Sequence, residues 1–334
     1  MSGIAFVSLV LWFGASLAAV LGVALYWIKR NMKSPFANIK RYEEEYFYRN
    51  PKTDKMEAFP SLMTDAASMD LTVIIPAYNE KDRLPKMLDE CVEFLEARRR
   101  ESEFSYEIIV VDDGSRDNTT EVALEYSSSL GVERVRVLTL VQNRGKGGAI
   151  RLGVLSARGK RILFADGDGA TKFSDLGHLE EVLKASANKD AIVVGSRAHL
   201  EKRAVAERSI FRTFLMKGFH WFVWTVGGVT GIKDTQCGFK LFTRSAASKI
   251  FYNLHVERWV FDIELLYIGE VFKMDIHEVA VNWQEIEGSK LIPIFSWIQM
   301  ALDILRMRIF YMLGIWKIDA AVTGQVTRIK NKSV

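Results

Sequence analysis

Two aspartates that follow a short apolar run are the clearest candidates for chemistry in this sequence. Asp166 and Asp168 stand on either side of Gly167, directly after the strand-like residues 161–165. Two carboxylates in this spacing can both turn toward one hard cation, such as Mg²⁺ or Mn²⁺. That cation would bridge diphosphate oxygens and offset the charge that develops on a leaving group. We therefore predict a catalytic metal site at Asp166 and Asp168.

Further polar groups follow other apolar runs. Asp112 and Asp113 come after residues 106–111, and their carboxylates can accept hydrogen bonds from ribose hydroxyls or a base. An ordinary turn is the alternative for this pair. Residues 143–149 (NRGKGGA) lack the GxxxxGK[ST] pattern of a P-loop, yet their glycines permit close backbone approach. Arg144 or Lys146 is expected to face a diphosphate there, and a glycine-rich helix start is the alternative.

A second group of candidates lies further along the chain. Arg197, Arg208 and Arg212 could hold a second phosphate group, although a solvated basic face explains such a run equally well. Acidic and amide groups beside bulky aromatic residues suggest the wall of a sugar pocket, formed by Asp234, Gln236, Trp259 and Asp262. Buried structural carboxylates are the alternative for that set.

The elements that must position these groups alternate between strand and helix. Short apolar runs predict buried strands at residues 71–76, 106–111, 135–141, 161–165 and 191–195. Helical spacing intervenes at residues 83–99, 118–130, 147–157 and 175–186. This alternation predicts a mostly parallel α/β sheet covered on both faces. Because ligands bind beyond the carboxyl ends of such strands, the candidate residues should converge on one rim.

Both ends of the chain suggest contact with a membrane. Residues 4–28 contain no charged residue and are long enough to span a bilayer, and the basic residues follow this run. We expect a transmembrane anchor at 1–28, a juxtamembrane linker at 29–69, with a short surface helix at 41–49, and a catalytic domain at 70–290. Membrane-associated amphipathic helices should follow at 291–318, with Trp297, Phe310, Tyr311 and Trp316 facing lipid, and then a basic tail at 319–334. A buried core helix is the alternative at 291–316.

Composition narrows the function. The net charge of +4 is too small to argue for nucleic acid and suits an anionic membrane surface or phosphate-bearing substrates. The two cysteines have no zinc-like spacing and are expected to be reduced thiols. The scattered histidines provide no basis for a Ser–His–Asp hydrolase. The sequence neither favours nor rules out a homo-oligomer.

Several motifs together resemble a known family. VIIPAYNE (73–80), VVDDGS (110–115), NRGKGG (143–148) and ADGDGA (165–170) resemble the nucleotide-sugar domain of family 2 glycosyltransferases, which have the GT-A fold. GSRAH (195–199), KDTQCGFKLF (233–242) and WVFDIE (259–264) resemble, more narrowly, the members that transfer glucose to dolichyl phosphate. The resemblance extends from the N-terminal anchor to about residue 316.

The resemblance implies transfer of glucose from UDP-glucose to dolichyl phosphate with inversion, for N-linked glycan assembly. It implies a single-pass enzyme of the endoplasmic reticulum membrane whose catalytic domain faces the cytoplasm. By motif it assigns uridine binding to Pro76, Tyr78, Glu80, Asp112 and Asp113. It assigns the metal and diphosphate to Asp166 and Asp168, and the acceptor phosphate to Arg197, Arg208, Ser209 and Arg212.

One position departs from the related enzymes that make the mannosyl lipid. Those enzymes often carry Gln two residues after the second aspartate, where this chain has Ala170. A metal ligand is therefore missing here or supplied otherwise. A transferase that uses another sugar, such as mannose, stays open. A processive polysaccharide synthase is disfavoured because no QxxRW motif occurs, and a membrane-tethered nucleotide-binding scaffold would not need both aspartates.

Overall fold

The structure is a computed structural model. It describes residues 12, 14–16, 19, 22–23, 26, 40–186, 189–200, 218, 223–286, 293–322 and 327–329. The predicted anchor at 1–28 lies mostly outside these residues. Across the described part of the chain, no helix combines the length and apolarity needed to cross a bilayer.

A seven-stranded sheet forms the centre of the molecule. In chain order the strands are β4 (Met69–Ala77), β5 (Tyr106–Asp112), β6 (Val135–Thr139), β7 (Gly159–Ala165), β8 (Ala191–Ser196), β9 (Phe239–Thr243) and β10 (Asp275–Ala280). Their order across the sheet is β10-β8-β9-β7-β4-β5-β6. Strand β9 runs antiparallel to its neighbours β7 and β8, whereas the other pairs are parallel. The expected mostly parallel α/β sheet is thus confirmed.

Helices cover both faces of this sheet. One face carries α1 (Leu84–Glu101), α2 (Thr119–Leu130) and α4 (Leu176–Ala185). The other carries α3 (Lys146–Leu155), α5 (Arg244–Asn253), α6 (Phe261–Val271) and α7 (Pro293–Met312). Residues of β5 are buried throughout, as the burial of a parallel strand between two helical layers requires. Cys91 and Cys237 are buried free thiols, one in α1 and one just before β9.

The sequence interpretation missed β9 and β10. Strand β9 separates β7 from β8, which successive βαβ units would have placed side by side. Its second residue, Lys240, is fully buried and reaches Asp262 with its ammonium at 2.5 Å. A lysine in a short apolar run makes the run look solvent-exposed. Its burial could not be inferred locally, because its partner Asp262 lies in helix α6.

Residues 40–69 are folded, which revises both the linker and the surface helix predicted there. They form β1 (Lys40–Tyr42), a 3₁₀ turn (Glu44–Tyr46), β2 (Phe47–Asn50) and β3 (Lys55–Ala58). Strands β2 and β3 form a hairpin, and β1 pairs in parallel with β11 (Thr327–Ile329) from the predicted basic tail. Arg41 and Glu45 are buried, although charged residues in a sequence suggest a solvated surface.

The prediction that Phe310, Tyr311 and Trp316 face lipid is wrong, because these residues at and just after the end of α7 pack within the domain. Phe310 is buried, Tyr311 donates its hydroxyl to Glu264 at 2.7 Å, and the Trp316 ring stacks on His255 at 4.6 Å. The side chain of Trp297 lies outside the description. Among the described side chains of α7, from residue 298 onward, the large apolar ones that are exposed are instead Ile298, Leu302, Leu305 and Met312.

Candidate active site

The carboxyl ends of the parallel strands bring the candidate residues together at one rim. Ala77 at the end of β4 is in register with Asp112 at the end of β5. The backbone N–H of Asp113 donates to the carbonyl of Ala77 at 2.9 Å. Strand β7 ends next to β4 and leads directly into Asp166. The rim therefore places groups from the three parallel strands β4, β5 and β7 beside each other.

Asp112 and Asp113 have different surroundings. Asp112 accepts hydrogen bonds from the Ser115 amide at 2.9 Å and from the Thr120 hydroxyl, so it also performs the turn role. Asp113 is buried and accepts the amides of Arg144 at 2.7 Å and Gly145 at 2.8 Å. Burial raises the pKa of Asp113 to about 7 despite these two donors. Asp113 thus joins the β5 rim to the loop before α3.

The loop after β4 is fixed to the loop after β5. Asn79 has a positive φ of 50°, and its side chain accepts the Arg116 amide at 2.8 Å. Glu80 faces Arg83 at 2.6 Å, so its carboxylate is already paired with a cation. Tyr78 is half-buried beside them. Predicted nucleotide residues thus lie at the rim, with Glu80 in an ion pair that the sequence interpretation did not include.

Pro76 has a structural role near the two aspartates. It lies within β4, and its carbonyl is 2.9 Å from where a Cβ on Gly167 would stand. A larger residue at position 167 would therefore press against the backbone of β4. This contact explains why glycine separates Asp166 from Asp168.

Lys146 and Asp166 form the centre of the site. Lys146 is the first residue of α3, and its Nζ lies 2.6 Å from Asp166 Oδ1 and 5.9 Å from the ring centroid of Trp259. Burial alone lowers the pKa of Lys146, but the carboxylates of Asp166, Asp262 and Asp168 outweigh it and raise that pKa. The ammonium stays charged, and it stands at a helix N-terminus, where anions are favoured.

Gly238 makes room for Asp166. A Cβ on Gly238 would lie 2.0 Å from Asp166 Oδ2, and the Gly238 carbonyl accepts the Asp166 amide at 3.0 Å. The missed strand β9 therefore begins against the metal candidate. Any side chain at position 238 would displace the carboxylate.

The donor set fits a hard divalent cation that shares its ligands with a diphosphate. Asp168 accepts the Ala170 amide at 3.0 Å, and burial together with the Asp166 carboxylate raises its pKa. The two carboxylates repel each other because both are negatively charged, and a cation bound between them would remove this repulsion. Within the described ranges, no group of three or more His, Cys, Asp or Glu residues could hold a metal. Mg²⁺ commonly takes one or two carboxylates and completes its shell with substrate phosphates and water.

Arg197 is held by Asp234. Its Nε and Nη2 donate to the Asp234 carboxylate at 2.8 and 2.9 Å, and its amide donates to the same group at 2.8 Å. The guanidinium lies 5.4 Å from the Trp283 ring centroid. Burial lowers the pKa of Arg197, but its bonds to Asp234 outweigh this and raise it. The predicted acceptor residues Arg208, Ser209 and Arg212 lie outside the described residues.

The four predicted sugar-pocket residues have different surroundings. Asp262 is buried against Lys240, which matches the alternative of a structural carboxylate. Gln236 donates to the Met300 sulfur at 3.2 Å and so contacts α7. Trp259 is 42% exposed beside Lys146 and lies within the site. Asp234 serves Arg197, as described above.

Sequence reasoning missed Arg83 and Lys240. The positive charge of Arg83 acts to lower the pKa of Asp168 and so opposes the increase caused by burial. The ion-pair partner of Arg83 is Glu80. Its position three residues after Glu80 at the start of α1 was a usable signal for that pair. Lys240 gave no such signal, because its partner Asp262 is 22 residues away.

Comparison with known proteins places the chain in a family. The model of glycosyl transferase family 2 matches residues 72–251. A dolichyl-phosphate β-glucosyltransferase from Homo sapiens is 53% identical over 92% of this chain and 95% of its own. One from Drosophila melanogaster is 53% identical over 91% and 94%, and one from Saccharomyces cerevisiae is 43% identical over 76% and 78%.

Solved structures share the fold at low sequence identity. Glucosyl-3-phosphoglycerate synthase of Mycobacterium tuberculosis is 16% identical with a TM-score of 0.52, covering 74% of this chain and 81% of its own. Its complex with Mg²⁺ and uridine diphosphate has a TM-score of 0.51 at 15% identity, covering 76% and 82%. These structures support the fold, and the family model together with the relatives at 53% identity shows that the chain belongs to family 2 of the glycosyltransferases.

Proposed function

We propose that this chain transfers glucose from UDP-glucose to dolichyl phosphate with inversion, giving dolichyl β-D-glucosyl phosphate for N-linked glycan assembly. The observation that carries the proposal is 53% identity to two dolichyl-phosphate β-glucosyltransferases over at least nine-tenths of every chain involved. The geometry of the rim agrees with it, because a lysine, a helix N-terminus and two aspartates meet where a diphosphate would lie.

The reaction requires little proton transfer from the protein. A lipid phosphate is already an anion at neutral pH, so it can attack the anomeric carbon without a general base. Its oxygen forms the new bond to C1 while the bond from C1 to the UDP oxygen breaks, which inverts that carbon. Catalysis then depends on alignment and on stabilising the departing UDP.

Four residues would supply most of this chemistry. Lys146 directs its ammonium at the carboxylate rim and would pair with the departing diphosphate. Asp166 and Asp168 would hold Mg²⁺ or Mn²⁺, and the bound metal would offset the negative charge on UDP. Arg197, oriented by its two bonds to Asp234, would attract the acceptor phosphate.

We further propose that the protein works at the cytoplasmic face of the endoplasmic reticulum membrane. The uncharged residues 4–28 and the basic residues after them support a single anchor with the catalytic domain in the cytoplasm. Ile298, Leu302 and Leu305 recur at helical spacing on α7 and are exposed, which supports contact with lipid.

The experiment is a donor and acceptor comparison with purified full-length protein in detergent. Radiolabelled UDP-glucose and GDP-mannose are each offered with dolichyl phosphate and with dolichol. Of the four combinations, we expect a chloroform-soluble, acid-labile product only from UDP-glucose with dolichyl phosphate. If GDP-mannose gives the product instead, the proposed mechanism would still apply, but the assignment of glucose as the transferred sugar would be wrong.

A further inference from the structure

A segment before the family-matched region is built into the domain. Residues 40–62, here called the N-terminal strap, pack beside edge strand β6. Tyr48 is buried against Phe59, with ring centroids 5.0 Å apart. The Leu62 amide donates to the Leu155 carbonyl at 2.9 Å, which joins the strap to the end of α3. The strap therefore covers an edge that would otherwise expose unpaired backbone groups.

Glu45 is the most deeply placed charged residue of this strap. Its side chain is fully buried, and its carboxylate accepts the Tyr42 amide at 2.9 Å and the Val141 amide at 3.1 Å. The Nη2 of Arg144 donates to both carboxylate oxygens, at 3.0 and 3.2 Å. A buried carboxylate is tolerated only with such partners, so these bonds define one position for the side chain.

A second buried arginine fixes the backbone of Glu45. Arg41 donates from Nε to the Glu45 carbonyl at 3.0 Å and from Nη2 to the Ser156 hydroxyl at 2.8 Å. Ser156 immediately follows α3. The strap is thus attached near both ends of the helix whose N-terminus faces the site.

Arg144 connects Glu45 to the nucleotide rim. Its guanidinium points back to Glu45, while its amide and that of Gly145 hold the two oxygens of Asp113. The next residue is Lys146, which reaches Asp166. A shift of the Arg144 side chain would therefore move groups that face a bound nucleotide.

We propose that Glu45 is a positioning residue for nucleotide binding, which holds the loop 141–146 from behind so that Asp113 and Lys146 face the nucleoside diphosphate. The role rests on the proposed function only for the identity of the nucleotide. Glu45 itself contacts the loop, with bonds to Val141 at one end and to Arg144 near the other. The effect should appear in nucleotide affinity and leave the acceptor side unchanged.

The test compares Glu45→Gln with Glu57→Gln in the full-length protein. Both variants remove one carboxylate charge from the strap, but the Glu57 carboxylate accepts its bonds from Tyr48 and Asn50 within its own hairpin. UDP binding is measured by calorimetry with Mn²⁺, and KM is measured for both substrates. For Glu45→Gln we expect a rise of about tenfold in the UDP dissociation constant and the UDP-glucose KM. The KM for dolichyl phosphate should stay unchanged, and Glu57→Gln should bind UDP like wild type.

Other outcomes overturn the proposal. A purely structural role would reduce the active fraction, so kcat would fall while both KM values and the UDP dissociation constant of the folded protein stayed at wild-type values. Equal effects of the two variants would also contradict it. If Glu45→Gln does not fold, Glu45→Asp carries the same test, because it keeps the charge but shortens the reach to Arg144. Wild-type protein that binds UDP but glucosylates no lipid would refute the proposed function, and the UDP dissociation constants of the two variants would still test the role of Glu45.

Discussion

The ammonium of Lys146 lies 2.6 Å from Asp166, so the first residue of α3 holds a carboxylate that would also bind a metal. One cation already stands where negative charge would accumulate on a leaving diphosphate. Lys146 and a bound metal would together stabilise that negative charge, and the reaction would not need either of them to accept a proton.

Replacing Lys146 with Met should lower kcat by about a hundredfold or more, because it removes a preorganised cation from the leaving group. Steady-state transfer assays at saturating substrates would measure the loss. Lys160→Met is the matched control, since Lys160 forms a similar pair with Asp70 at 3.0 Å but is exposed and lies at the start of β7, the end opposite Asp166. Comparable losses in both variants would refute the assignment.

The affinity for UDP-glucose should increase from about pH 6 to about pH 8. Burial raises the pKa of Asp113 to about 7, and only its ionised form accepts hydrogen bonds with both oxygens. The groups that face it are Asp112 and the amides of Arg144 and Gly145. Calorimetric titrations across this range would measure the change, because the diphosphate of UDP-glucose does not titrate there.

Asp113→Asn should remove that pH dependence, and a persistent slope would assign it to another group. Stability should change in the opposite direction. A raised carboxyl pKa means that the folded protein holds this proton more tightly than the unfolded chain does. The contribution of Asp113 to the free energy of unfolding is therefore greatest at low pH and decreases as pH rises toward about 7.

Arg197→Ala should act on the acceptor side. Loss of a charged hydrogen bond to phosphate should raise the dolichyl phosphate KM or lower kcat by about tenfold to a hundredfold, with UDP-glucose affinity intact. Kinetics with each substrate varied in turn would separate the two. Arg49→Ala serves as control, because Arg49 pairs with Asp54 on the exposed surface. A selective loss of nucleotide affinity would assign Arg197 to the donor side.

Tyr311→Phe should destabilise the protein by about 1–3 kcal/mol, since it removes a donor from the fully buried carboxylate of Glu264. Tyr126→Phe removes a hydroxyl bond of 2.6 Å to the exposed Asp89 carboxylate and should have a smaller effect. Denaturant unfolding in detergent would compare them. Equal stability of Tyr311→Phe and wild type would mean that α7 docks mainly through its apolar side chains.

The rim was predictable from sequence, whereas its supports were not. Asp112, Asp113, Asp166 and Asp168 stand directly after apolar runs, and parallel strands bring such positions together whatever lies between them. Glu45 and Arg144 are 99 positions apart, and nothing local distinguishes a buried ion pair from two solvated charges.

The same limitation explains the C-terminal region. Tyr311 and Trp316 have the composition of interfacial aromatics, yet they pack on His255 and Glu264 within the domain. Only the position of α7 on the core decides which side chains stay exposed. Helix and strand periodicity therefore identified five of the seven sheet strands and the helices between them, but not every buried face.

The most direct test of the central claim is glucose transfer with the metal controlled. Purified full-length protein, UDP-glucose and dolichyl phosphate are incubated with EDTA, with Mg²⁺ or Mn²⁺ restored, and with Asp168→Asn in place of wild type. We predict a glucosyl lipid that disappears with EDTA, returns with the metal and is absent for Asp168→Asn. The control Asp190→Asn, altered at a half-buried ion pair with Lys249 just before β8, should form it normally. Near-normal transfer by Asp168→Asn, or in EDTA, would contradict a metal held by Asp166 and Asp168.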